Sequence, residues 1–106
     1  MNPAKLQFGL HEENIKKINR VFSCYKSVEK VILYGSRAKG NFRPGSDIDL
    51  TIIGKKLSIR DLNKITNDLD DLLMPYTFDL SIYHHIKNPD LIHHIKRVGK
   101  VFYTIN

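Results

Sequence analysis

Residues 47–53, DIDLTII, alternate with a period of two. That period belongs to a β-strand, where successive side chains leave on opposite faces. Ile48, Leu50 and Ile52 then share one face. Asp47, Asp49, Thr51 and Ile53 share the other. Aspartate is disfavoured in strands, so two of them on one face restrict the folds that can hold them. Residues 77–83, TFDLSIY, repeat the pattern, with Phe78, Leu80 and Ile82 on one side and Asp79, Ser81 and Tyr83 on the other. A fold for this chain must bury one side of both strands and accommodate acids on the other.

The remaining segments supply the cover. Residues 30–34, KVILY, read as a short buried strand ended by Gly35. Residues 11–26 read as an amphipathic helix with Ile15, Ile18, Phe22 and Tyr25 on one face. Glu12 and Glu13 fall in its first turn, where negative charge suits the helix dipole. Ser58 and Asp61 form a capping-box pair that opens a second helix. Its stripe is Ile59, Leu62, Ile65, Leu69, Leu72 and Leu73, and Pro75 marks its end. Asn88-Pro89-Asp90 is a third helix start, with Leu91, Ile92, Ile95 and Val98 as its stripe and Gly99 as its cap. Residues 100–105 complete the order as a last strand or an extended tail. Between the first two strands, GSRAKGNFRPGS is mostly loop, with one helical turn from Ser36 stopped by Gly40.

This order predicts an α/β (α+β) fold, a small mixed sheet with helices packed on one face. With 106 residues, 42% hydrophobic and 26% charged, the chain is expected to be one globular domain over residues 1–106. The composition excludes a disordered tail or a collagen-like repeat. No segment approaches the ~20 apolar residues of a membrane span, and the N-terminal stretch does not read as a signal peptide. The single cysteine, Cys24, cannot form an intramolecular disulfide. A cytoplasmic protein is the expectation. The net charge of +6 comes without a long Lys/Arg block or basic–aromatic interleaving, so nucleic acid is not the expected substrate.

The acids carry the chemistry. The Cβ atoms of Asp47 and Asp49 should lie about 6.5–7 Å apart, from the ~3.3 Å rise per residue. Asp79 joins them if the two strands pair. Two carboxylates about 4 Å apart repel by about 4 kcal/mol at an effective dielectric near 20. That is a large share of the roughly 5–15 kcal/mol that holds a domain together. A divalent cation compensates, and Mg²⁺ favours one or two carboxylates plus phosphate oxygens and waters. A lone D-x-D usually marks only the solvated face of an edge strand. Here Gly35-Ser36 stands at the end of the preceding strand, with backbone N–H groups and a hydroxyl suited to phosphate. Arg37, Lys39 and Arg43 add three cations in the same loop.

Gly35-Ser36, then ten residues, then Asp47-Ile48-Asp49 resembles the G-S-x(10)-D-x-D signature of DNA polymerase β-type nucleotidyltransferases. The stretch LYGSRAKGNFRPGSDIDL is similar to the small bacterial branch called minimal nucleotidyltransferases (MNT). Asp79, in FDLSIY, falls where that family carries its third metal-binding carboxylate. The resemblance runs roughly from Val31 to Tyr103. It implies a nucleotidyltransferase fold and a Mg²⁺-dependent enzyme with catalytic, metal-binding Asp47, Asp49 and Asp79. Two Mg²⁺ ions would act as the two-metal clamp of nucleotidyl transfer. Gly35 and Ser36 would grip the outer phosphates of ATP, assisted by Arg37 and Ser46. A hydroxyl would attack the α-phosphate and pyrophosphate would leave.

The resemblance also implies a partner. Members of this branch are commonly encoded beside a helical HEPN-type protein, and the pair resembles a toxin–antitoxin module. The MNT protein is then the antitoxin, transferring AMP to a tyrosine of the HEPN ribonuclease, and a hetero-oligomer is expected. Two alternatives stay open: neutralisation of the partner by binding alone, and transfer to a small-molecule hydroxyl. Larger relatives add a helical domain for base and acceptor, which is not expected here.

The other conspicuous residues have plainer readings. His84-His85 and His93-His94 match no zinc spacing and read as surface histidines, some of them at a partner contact. Tyr34, Tyr76, Tyr83 and Tyr103 read as core or interface packing, and Cys24 as a packed helix residue.

Overall fold

The structure is a computed structural model that describes residues 6–105. It begins with a small hairpin, β1 (Leu6–Gln7) and β2 (Leu10–His11). Helix α1 follows (Glu12–Ser23), then β3 (Lys30–Tyr34), the short helix α2 (Gly35–Lys39) and β4 (Ile48–Ile53). Helix α3 (Ile59–Asp70), β5 (Phe78–Ile82), a 3₁₀ turn (Tyr83–His85), α4 (Pro89–Val98) and β6 (Lys100–Thr104) complete the chain. The main sheet runs β5-β4-β3-β6. Its β4–β5 pair is parallel and the other two pairs are antiparallel, so the sheet is mixed as expected.

The period-two pattern sets the core. Val31, Leu33, Ile48, Leu50 and Ile52 are fully buried together with Ile18 and Phe22 of α1 and Ile65 and Leu69 of α3. Cap chemistry sets the helix starts. The Ser58 hydroxyl accepts from the Asp61 N–H while the Asp61 carboxylate accepts from the Ser58 N–H, each at 3.2 Å. The Asn88 side chain accepts from the Asp90 N–H at 2.9 Å, with Pro89 in the first turn. Helix α4 joins β6 through Gly99, whose missing side chain leaves room for Ile32 Cγ2, 2.7 Å from where a Cβ would stand. Ile32 pairs with Thr51 across the strands, on the side of the sheet that carries Asp49.

Three local expectations change. The second long helix ends at Asp70 rather than near Pro75, and Leu73 is 89% exposed with φ +56° instead of buried in the stripe. Ile59, at the start of the same stripe, is 55% exposed. Cys24 is exposed, not packed, because α1 stops one residue before it. Among the described residues, no helix is long and apolar enough to cross a membrane.

Candidate functional site

The site lies where β3 ends and β4 begins. Tyr34 closes β3 and pairs with Asp49 of β4, and Asp49 pairs with Asp79 of the parallel strand β5. The three side chains therefore lie side by side on the acidic face, from buried Tyr34 to exposed Asp79. Asp47 precedes β4 by one residue and is exposed, as is Asp79, while Asp49 is half-buried. Burial pushes the Asp49 carboxyl up to about 6, and the neighbouring carboxylates of Asp79 and Asp47 add to it. The Arg37 guanidinium pulls the other way, and a hydrogen bond with Asp79 adds to the rise. Burial also raises Tyr34, again reinforced by Asp79 and Asp49 and opposed by the Ser81 hydroxyl. Burial first, and then the like charges beside it, thus act together on Asp49.

Gly35 turns the chain beside these acids. Its φ is +73°, a region where a side chain is strained. A Cβ on it would stand 2.2 Å from Asp49 Oδ2. Only glycine lets the end of β3 approach the carboxylate this closely. Its N–H donates to Nε2 of His94 on α4 at 3.1 Å. Ser36 follows in the first turn of α2, half-buried, with its carbonyl accepting from the Gly40 N–H at 2.9 Å and the Asn41 N–H at 3.2 Å. Gly40 ends the helix with φ +87°.

Arg37 takes a different place from the one the resemblance implied. It is only 2% exposed. Its Nε and Nη2 donate to the Ser46 carbonyl at 3.2 and 2.9 Å, and its Nη1 donates to the Phe8 carbonyl at 2.9 Å. The guanidinium carbon lies 5.3 Å from the Phe42 ring centre and 5.1 Å from that of Tyr76. A charge held between two rings and two carbonyls is a tether for the loop after α2. In this position all its hydrogen bonds go to protein carbonyls, and its charge lowers the Asp49 carboxyl against the other influences there. Ser46 belongs to the same tether. Its hydroxyl accepts from the Arg43 N–H at 2.8 Å, and its own N–H donates to the Arg43 carbonyl at 2.9 Å. This closed turn delivers Asp47 to the start of β4.

Sequence reasoning missed two contributors. The hairpin turn Phe8-Gly9, with φ +58° and +74°, supplies the carbonyl that holds Arg37. It lacks the Asn-Gly or Asp-Gly pair that advertises such turns. His94, expected at the surface, is half-buried and stacks edge-on against Tyr34, with ring centres 6.1 Å apart at 83°. The signal for it was helical spacing: His94 stands three residues after Leu91 and four before Val98, on the inward face. His93, His84 and His85 are exposed as expected. Among the described residues, no three His, Cys, Asp or Glu side chains are grouped closely enough to hold a metal ion.

Comparison with known proteins decides the family. The family model described as "Polymerase beta, Nucleotidyltransferase" matches residues 16–106. The chain belongs to the polymerase β nucleotidyltransferase family. The fold expected from the sequence and the enzyme class, a nucleotidyltransferase, both stand. The fold of this nucleotidyltransferase is shared with a toxin–antitoxin structure containing AMP-PNP, at 21% identity and a TM-score of 0.68, over 92% of this chain and 76% of that one. It is also shared with a structure of tri-AMPylated Shewanella oneidensis HEPN toxin in complex with MNT antitoxin, at 18% identity and a TM-score of 0.65, over 88% of this chain and 71% of that one. No curated protein sequence matches the chain.

Proposed function

We propose that this nucleotidyltransferase is the antitoxin of a HEPN–MNT pair, transferring AMP from ATP to a tyrosine of a HEPN-type ribonuclease encoded by the adjacent gene. The observation that carries the reading is the apposition of Asp49 with both Asp79 and Gly35. It sets two carboxylates beside a glycine-serine turn suited to phosphate. The resemblance to structures of toxin–antitoxin complexes supports the choice of partner.

The donor set fits Mg²⁺. Asp47, Asp49 and Asp79 offer hard oxygen ligands, and this ion uses one or two carboxylates and takes its other ligands from phosphate and water. Asp49, with its raised affinity for protons, marks the point where a cation is most needed. When bound, Mg²⁺ supplies neutralisation of the triphosphate and of the charge that develops during transfer.

The chain's own groups then have separate tasks. Asp47 and Asp49 would hold Mg²⁺, Asp79 would add a third carboxylate, and Asp79 would accept the proton of the attacking hydroxyl. The Ser36 hydroxyl binds an outer phosphate, and Gly35 keeps the strand end close enough for both. The tyrosine oxygen attacks the α-phosphorus, the bond to the bridging oxygen breaks, and pyrophosphate departs with the electron pair. Most of the acceleration comes from placement and charge neutralisation. In this reading the helical partner supplies the acceptor side.

Intact-mass spectrometry tests this. The protein, its gene neighbour, ATP and Mg²⁺ are mixed beside an Asp47→Asn control that still forms the complex. AMP increments on the partner, absent in the control, bear out the transfer. A tight complex without increments replaces it with neutralisation by binding, and increments only on an added small alcohol point to a small-molecule acceptor.

A further inference from the structure

Gly35 is fixed from two directions. On one side Asp49 Oδ2 occupies the space of a side chain. On the other, its N–H is held by His94, 59 residues further along the chain. A glycine at positive φ can rotate its flanking peptides at little steric cost. The orientation of this turn therefore depends on what its N–H binds.

His94 is built to supply a stationary acceptor. Its ring meets the buried Tyr34 edge-on. Its helix is anchored at one end by the Asn88 cap and Pro89 and at the other by Gly99 against Ile32. A ring nitrogen that accepts an N–H must be unprotonated, so the proton sits on Nδ1. The contact also leaves the Gly35 N–H engaged by protein, which shifts phosphate binding onto Ser36 and the groups after it.

We propose that His94 is a positioning residue of the nucleotide site, holding the Gly35 peptide so that the Gly35-Ser36 turn is already shaped for a triphosphate. This rests on the reading that the chain binds and transfers a nucleotide. His94 does not touch the reacting atoms; it acts through Gly35. Its removal is expected to weaken nucleotide binding more than the chemical step.

The test compares His94→Leu, which keeps bulk and removes the acceptor, with His94→Gln, which offers an amide oxygen in its place. Affinity is read with α,β-methylene ATP and Mg²⁺, and KM and kcat from AMP transfer to the partner. The Gly35 amide is followed by NMR. His94→Leu should weaken analogue binding and raise KM for ATP about five- to tenfold, the value of one lost hydrogen bond. Its kcat should move less, and the Gly35 amide resonance should shift. His94→Gln should recover most of the affinity at equal thermal stability. Unchanged affinity in folded His94→Leu overturns the assignment, as does a glutamine variant as impaired as the leucine one. Wild-type protein that neither binds the analogue nor transfers AMP overturns the nucleotide reading itself, and does so before any substitution is compared.

Discussion

A methyl group on Gly35 would stand 2.2 Å from Asp49 Oδ2. The end of β3 and the most perturbed carboxylate of the site are therefore in contact through a missing side chain. Gly35→Ala adds both this clash and a side chain at φ +73°. The expected cost is about 1–3 kcal/mol of stability from the backbone alone. The carboxylate must also move, so AMP transfer should fall by at least about 100-fold, since misplacement by an ångström carries that cost. Urea unfolding and initial-rate assays on the same preparation check both numbers.

Arg37 predicts a different kind of defect. Lysine keeps the charge but cannot give two donors to the Ser46 carbonyl and a third to Phe8. Arg37→Lys should lose about 2–3 kcal/mol, as for buried hydrogen bonds to a charged group. The damage should reach the loop through residue 46 and the hairpin together, read as faster amide exchange over residues 7–10 and 41–46. Exchange that rises only in the loop would remove the hairpin from the tether.

Gly9 tests the hairpin directly. A Cβ there would meet Phe42 Cε2 at 2.2 Å and Arg37 Nη1 at 2.9 Å, at φ +74°. Gly9→Ala should cost about 1–3 kcal/mol and reduce transfer, although the residue is remote in sequence from the acids. A variant with full stability and full activity would show that the hairpin merely rests on the loop.

The Asp49 carboxyl gives a pH dependence whose sign is opposite to that of most acids. Its folded-state value, about 6, lies above that of the unfolded chain. Its contribution to stability is therefore present below the unfolded value near 4, and is lost as pH rises through about 6. Relative to Asp49→Asn, the metal-free wild type should lose about 1 kcal/mol between pH 4.5 and 7, after allowance for solvent screening. Equal slopes for the two proteins would place the repulsion elsewhere. With nucleotide and Mg²⁺ added at pH 6, wild type should release protons that the asparagine variant does not.

The sequence made the sheet legible because its information is local. Ile48, Leu50 and Ile52 against Asp47 and Asp49 need only alternation, and Ser58 with Asp61 or Asn88 with Pro89 need only cap chemistry. The acids and Gly35-Ser36 could be named for the same reason. Arg37 and His94 could not be placed that way. Arg37 binds the carbonyls of Ser46 and Phe8, and main-chain acceptors leave no mark in a sequence. His94 meets a main-chain N–H 59 residues away, so its role exists only once α4 has docked. The helical spacing that reaches Leu73 carries no sign that the helix ends at Asp70 and that Leu73 itself takes positive φ.

Strands β4 and β5 pair Leu50 with Leu80 and Asp49 with Asp79 in a single ladder. A slip of one residue would turn Asp79 into the apolar layer and Leu80 out of it. A register error in this pair therefore disturbs the interior and the site together. Proteolysis cuts opened chains, so molecules misregistered in this ladder would be removed for a loose interior before their misplaced carboxylates could matter.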